Sequence, residues 1–238
     1  MRLPAALSGR AAGQATGGAT DIDHKRRGEG TQMVLKGYDG RIVRLTDTDG
    51  KCFTGTAVHC SAEYCLDAYG REEDGILING FLVYESGIRQ IVPLPDLEVL
   101  RATQTWQRAG AYYVRIQAMA KKHQIPLYRE FDEHDTPDAK YIVVTDGGFP
   151  IATARMYPLE KKRMMIGRVV VLPEYRRQGI GTLVVSECEE WAEELCFSKT
   201  VVESRDNKTA FYEQMGYEIC GEPIEGDTFR CVRMEKDL

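Results

Sequence analysis

Arg176-Arg177-Gln178-Gly179-Ile180-Gly181 brings cations and glycines together in one short segment. Glycines let a backbone approach a ligand without a side chain in the way. If a helix starts here, its unpaired N–H groups and positive dipole end suit a phosphate or pyrophosphate. Thr182-Leu183-Val184 follows, so the third glycine of a dinucleotide fingerprint is missing. There is no Gly-Lys-Ser/Thr, so this is not an NTPase phosphate loop either. Taken alone, the segment reads equally as a phosphate cradle or as a tight turn with two solvated arginines.

Carboxylates form a second chemically able group. Glu130 and Asp132 alternate before Asp135, which places them on one face if the segment is extended. They could bind a cationic amine, take its proton through water, or pair with Arg155 or Arg168. Glu203, at the end of an apolar run, is a further candidate base. His123 and His134 read as surface residues.

Elements must hold these groups in place. Val169-Val170-Val171-Leu172 is β-branched and short, which predicts a buried strand, and Pro173 ends it. After the glycines, Ile180, Leu183, Val184, Cys188, Trp191, Ala192 and Leu195 fall at helical spacing, with glutamates on the other side. The expected order is therefore strand, glycine turn, helix. Around it, strands are expected over 97–103, 141–144, 150–156, 163–172, 200–203, 217–220 and 230–234, with a helix over 109–124 stopped by Pro126. Tyr113, Ile116 and Ala120, with Tyr112 and Met119, are its expected buried stripe.

With these residues in register, the region from 97 to 238 resembles the GNAT acetyltransferases. Arg176 to Gly181 matches the family's Arg/Gln-x-x-Gly-x-Gly/Ala acyl-CoA signature. Asn207 to Tyr217, with Phe211-Tyr212-Glu213, is close to its "FYEKxGF" helix and turn. Arg115, Ile125-Pro126, Glu130-Phe131-Asp132 and Asp135 look like a segment of the ElaA-like branch. The resemblance implies acetyl transfer from acetyl-CoA directly to a primary amine of a small molecule or peptide, without a metal. It implies that Val169, Val170 and Val171 meet the pantetheine arm. Arg176, Arg177, Gln178, Gly179, Ile180, Gly181, Thr182 and Asn207 would hold the rest of acetyl-CoA. Tyr212 would protonate the departing thiolate; the alternative is a core aromatic beside Phe211. Ala118-Met119, Lys122-His123 and Arg205 depart from the branch pattern and leave the acceptor open. An acyl-cysteine intermediate is disfavoured because Cys188 and Cys196 lie on the helix.

The chain has 238 residues and a formal net charge of −5, with 43% hydrophobic and 28% charged residues, which fits a globular protein. That charge disfavours a general nucleic-acid surface. No apolar run is long enough to span a membrane, and a cytoplasmic location is expected. Seven scattered cysteines lack paired spacing, so free thiols fit better than zinc or disulfides. Residues 1–32 have almost no large apolar side chains and read as a disordered leader or the product of start-site choice, with Met33 the preferred start. Residues 33–95 read as five short strands, among them 52–58, 64–68 and 76–84. The pattern resembles an Sm-like or SH3-like barrel. Its RNA-reading positions hold Ser61, Cys65 and Tyr84-Glu85, so contacts between domains or subunits are expected instead. The overall expectation is α+β: a small all-β barrel, then a GNAT fold with a mixed central β-sheet flanked by helices over 96–238, with a homodimer left open. Two rivals stand beside it, a non-catalytic acyl-CoA sensor and an RNA-associated factor with the barrel as adaptor.

Overall fold

The structure, a computed structural model, describes residues 34–225 and 230–238. The leader expected over 1–32 lies outside them.

The N-terminal module carries β1 (Ile42–Asp47), β2 (Cys52–Thr56), β3 (Val58–Cys60), α1 (Ala62–Tyr69), β4 (Gly75–Ile78), β5 (Phe81–Tyr84) and β6 (Ile88–Pro93). They form two three-stranded sheets, β2-β1-β6 and β3-β4-β5. Leu35, Val43, Leu45, Phe53, Ala57, Ile76, Ile78, Ile88 and Ile91 fill the space between them.

Three expectations here are corrected. The segment 64–68 lies in helix α1, not a strand, so the region is not all-β. Ser61 accepts a hydrogen bond from the Tyr64 N–H, and Gly70 ends the helix in the left-handed conformation, so both ends are capped. The expected strand 52–58 breaks at Ala57, and its halves join different sheets. The expected strand 76–84 is a hairpin. Asn79-Gly80 turns with φ of 50° and 76°, the left-handed pair that a tight hairpin needs.

The second region adds β7 (Leu97–Arg101), α2 (Thr105–Arg115), α3 (Leu127–Glu130), β8 (Lys140–Asp146), β9 (Phe149–Leu159) and β10 (Arg163–Val171). Then come α4 (Ile180–Glu194), β11 (Lys199–Arg205), α5 (Thr209–Gln214), β12 (Glu218–Ile219), β13 (Ile224–Glu225) and β14 (Arg230–Asp237). An eight-stranded mixed sheet runs β12-β14-β11-β10-β9-β8-β7, with β13 also on β14. Among the described strands of this sheet, only β10 and β11 pair in parallel; every other pair is antiparallel.

Alternation along β8 shows how the layers form. Ile142 and Val144 join the core that contains Leu183, Val184 and Cys188 of α4. Tyr141 and Val143, one residue out of phase, pack with Ala111 of α2. Both faces are buried, which the unbroken apolar run required. Each fully buried leucine or isoleucine here contributes about 1.5–3 kcal/mol.

Helix α2 begins four residues earlier than expected, because Gln107 and Gln104 make a reciprocal capping box. A π-helical stretch, Ile116–Lys121, continues it. The stripe is corrected too: Ala111, Val114, Arg115, Ala118 and Ala120 are buried, whereas Tyr113 is 41% exposed. An arginine was buried where the apolar pattern suggested aromatics. No helix of the described residues is long and apolar enough to cross a membrane. All seven cysteines are free.

Candidate active site

Strands β10 and β11 pair from Arg163–Lys199 to Ile166–Val202 and then part, although both run on. On the β9 side, Gly167 faces Arg155 but Val170 faces Thr153, so β10 carries one extra residue. That is a β-bulge, and Arg168 with φ 52° sits in it. Beyond Ile166 the β11-facing edge of β10 has no strand partner among the described residues. A cleft of about 1290 Å³ opens there, lined by Gly167 to Val171 on one side and Glu203 to Arg205 on the other.

The next turn of chain closes one end. Arg177 with φ 59° and Gly179 with φ 79° bend the chain into α4. Gly179 is the N-cap and offers no capping side chain, so the Ile180, Gly181 and Thr182 N–H groups have no acceptor within the helix. The Arg176 Nε donates to the Val171 carbonyl at 2.9 Å, which folds that guanidinium back over the strand end. Of the residues expected to hold a cofactor, Val169, Val170, Val171, Arg176, Arg177, Gly179, Gly181 and Thr182 line the cleft. Gln178, Ile180 and Asn207 do not. Ile180 is 1% exposed in the core, where the first turn of α4 needs an apolar anchor. Gln178 turns towards the N-terminal module and accepts from Arg44. The Asn207 N–H is held by the Asp206 carboxylate outside the cleft.

Eight lysines and arginines line the cleft against four carboxylates, in a chain of net charge −5. The site is thus a basic island that favours an anionic ligand.

The carboxylates expected as bases are heavily partnered. Glu130 ends the one-turn helix α3 rather than an extended segment, and it is 1% exposed. It accepts from Arg115 Nε at 2.9 Å. Asp132 takes Arg155 in a two-pronged pair, at 2.6 and 3.0 Å, and Arg168 Nη2 at 2.9 Å. Burial would raise the Asp132 pKa, but Arg155 and Arg168 outweigh it and hold it below the usual carboxylate range. Asp135 is held lower still: burial opposes ionisation, yet hydrogen bonds from Arg115 and Tyr141 prevail. Three arginines thus neutralise three carboxylates. Glu203, on the opposite wall, accepts from Arg233 at 2.7 Å.

Tyr212 lines the cleft and meets Phe211 and Tyr217 edge-on, with ring centroids 4.9 and 5.6 Å away. Burial pushes its phenol well above the ordinary value, so it stays protonated. Three further lining residues, His123, Cys52 and Cys231, carry titratable side chains that the sequence does not assign to the site. His123 is half-buried in the cleft, not on the open surface. Burial, then the charges of Arg205, Lys122 and Arg176, lowers its pKa and keeps the imidazole neutral. Cys52 comes from the N-terminal module and Cys231 from β14; burial, then Glu203, raises the Cys231 thiol. Lys122-His123 carries a signal only as a departure from the ElaA-like pattern, and the two cysteines carry none, because each reaches the cleft through long-range packing.

Comparison with known proteins fits this geometry. Residues 102–217 match the acetyltransferase (GNAT) family model. The "Uncharacterized N-acetyltransferase YjcF" of Bacillus subtilis is 27% identical over 116 residues, 49% of this chain and 81% of that protein. A UPF0039 protein of Schizosaccharomyces pombe is 31% identical over 113 residues, 47% of this chain and 75% of that protein. The crystal structure of Escherichia coli ElaA superposes with a TM-score of 0.51 at 20% identity, over 59% of this chain and 97% of that one, which is a likeness of fold.

Proposed function

We propose, from the premise that this chain belongs to the acetyltransferase (GNAT) family, that it moves the acetyl group of acetyl-CoA directly to a primary amine on a small molecule or peptide. The observation that carries this reading is the parting of β10 and β11 beside the uncapped start of α4. An open strand edge suits the amide groups of a pantetheine arm, which can add to it as a strand would. The α4 N–H groups and the basic lining suit the pyrophosphate.

The chemistry forms a C–N bond and breaks a C–S bond, so one proton must leave the amine and one must reach the sulfur. Tyr212 holds its proton at neutral pH and can donate to the developing thiolate. For the amine proton, Asp132 and Glu130 are poor acceptors, since their lone pairs are already engaged by arginine. His123 is neutral and on the cleft wall, and we assign it the base role. The raised Cys231 thiol is a weak nucleophile, which favours direct transfer.

The test is acetyl-CoA binding by calorimetry, then amine-dependent thiol release across an amine panel. Tyr212→Phe should bind acetyl-CoA as the wild type does and release thiol about 10²-fold more slowly. Tight binding with no release for any amine would replace the enzyme with an acyl-CoA sensor.

A further inference from the structure

The turn before α4 does not stand alone. The Thr54 hydroxyl, 0% exposed on β2, donates to the Gln178 carbonyl, and Arg44 of β1 donates to the Gln178 side-chain oxygen. Gln178 Nε2 returns to the Glu174 carbonyl at 2.9 Å, so its amide bridges module and turn. Gly179 lies directly on β2: a Cβ there would come within 2.4 Å of the Thr54 nitrogen and 2.9 Å of the Phe53 carbonyl carbon. At Gly181, by contrast, a Cβ would meet only ordinary contacts, the nearest at 3.5 Å. The turn's φ of 79° and the strand behind it thus both require the first glycine. Thr54 is itself fixed, since Asn79 Nδ2 donates to its carbonyl at 2.7 Å.

The same edge supplies a lysine to the lining of the cleft. Lys51 precedes β2, lines the cleft, and sits 5.0 Å from the centroids of both Phe53 and Phe81. Two aromatic faces therefore restrain an otherwise long, free side chain.

We propose that the N-terminal module is a built part of the acyl-CoA site. In this assignment Thr54 and Arg44 position the turn whose N–H groups meet phosphate, and Lys51 contributes a positive charge to the phosphates of the coenzyme's nucleotide end. The inference rests on the acetyl-CoA reading above and adds a wall to that site from outside the region 102–217 that the family model matches.

The test is calorimetric titration of the full chain with acetyl-CoA at low and high salt. Four variants are compared: Lys51→Gln, Thr54→Val, Thr54→Ser, and Lys36→Gln as an exposed lysine of the module outside the cleft. Lys51→Gln should weaken binding about five- to tenfold at low salt and lose less affinity on salt addition than the wild type. Thr54→Val should weaken binding, Thr54→Ser should restore it, and Lys36→Gln should match the wild type. Wild-type affinity and salt dependence in Lys51→Gln, with wild-type affinity in a Thr54→Val that keeps its melting temperature, would overturn the inference and leave the function standing. If Thr54→Val does not fold, Lys51→Gln decides alone. Absence of acetyl-CoA binding by the wild type would overturn both readings.

Discussion

The two ends of the cleft are built on opposite electrostatic plans. At the α4 end, the first backbone N–H groups of the helix have no acceptor within it, and Arg176 and Arg177 line the cleft beside them. At the α3 end, Glu130, Asp132 and Asp135 are met by Arg115, Arg155 and Arg168. Charged residues are abundant at both, but at the α3 end arginines and carboxylates answer one another in ion pairs. Residue type says what a side chain can do; its partners decide whether it is available. Under the proposed function the carboxylate cluster frames the bulge of β10, through the Asp132–Arg168 pair, and leaves the base role to His123.

The largest effect that would test this contrast is on stability. Arg115 is 0% exposed and serves both Glu130 and Asp135. Arg115→Ala leaves two buried carboxylates without their main partner and should cost about 3–5 kcal/mol in urea unfolding. A loss below 1 kcal/mol would mean that the cluster is solvated and free for catalysis.

Next in size is the base. With an accepted amine, His123→Gln should lower kcat about 10²-fold and remove the acid limb of the pH profile. That limb should lie below the ordinary histidine value, because the His123 pKa is lowered by burial and its cationic neighbours. Asp132→Asn should change KM and stability but keep the limb. The reverse pattern would hand the base role back to the carboxylate.

The smallest effect is the acid dependence of stability. Asp132 and Asp135 have folded pKa values below the unfolded ones. Their contribution is present above the ordinary aspartate value and lost as pH falls through the lowered one. The melting temperature should stay level from pH 7 to about 5 and fall below about 4. It should drop by about 2–4 °C for each kcal/mol lost. Asp135→Asn should flatten that fall.

Much of the second region could be read in advance, because its signals are local. The spacing from Ile180 to Leu195 gave a helix with Leu183, Val184 and Cys188 inside, and all three are buried. The run Val169 to Leu172 gave the strand, and the glycines gave the turn. Partnership was less legible. The sequence offers arginines and carboxylates, and only the fold couples Arg155 to Asp132 and Arg115 to Glu130. His123 reads as a surface residue because helical periodicity cannot show that a π-helical stretch, Ile116–Lys121, precedes it. In the N-terminal module, Ala62 to Tyr69 carries aromatic and apolar residues that suit either state, and the caps Ser61 and Gly70 decide it. Asn79-Gly80 is a readable turn signal inside an otherwise continuous apolar run.

The place of β14 in the sheet has a consequence for the order of synthesis. Among the described strands it is the last to leave the ribosome, yet it lies between β11 and β12. Met234 at its centre is 0% exposed, so the main core lacks a member until this strand arrives. Until then β11 presents an unpaired edge, Lys199 to Arg205, which is the kind of surface that recruits a neighbouring chain. The nascent protein therefore passes through a stage in which the wall of the cleft formed by Glu203 to Arg205 lies on an open strand edge that the last strand has yet to cover.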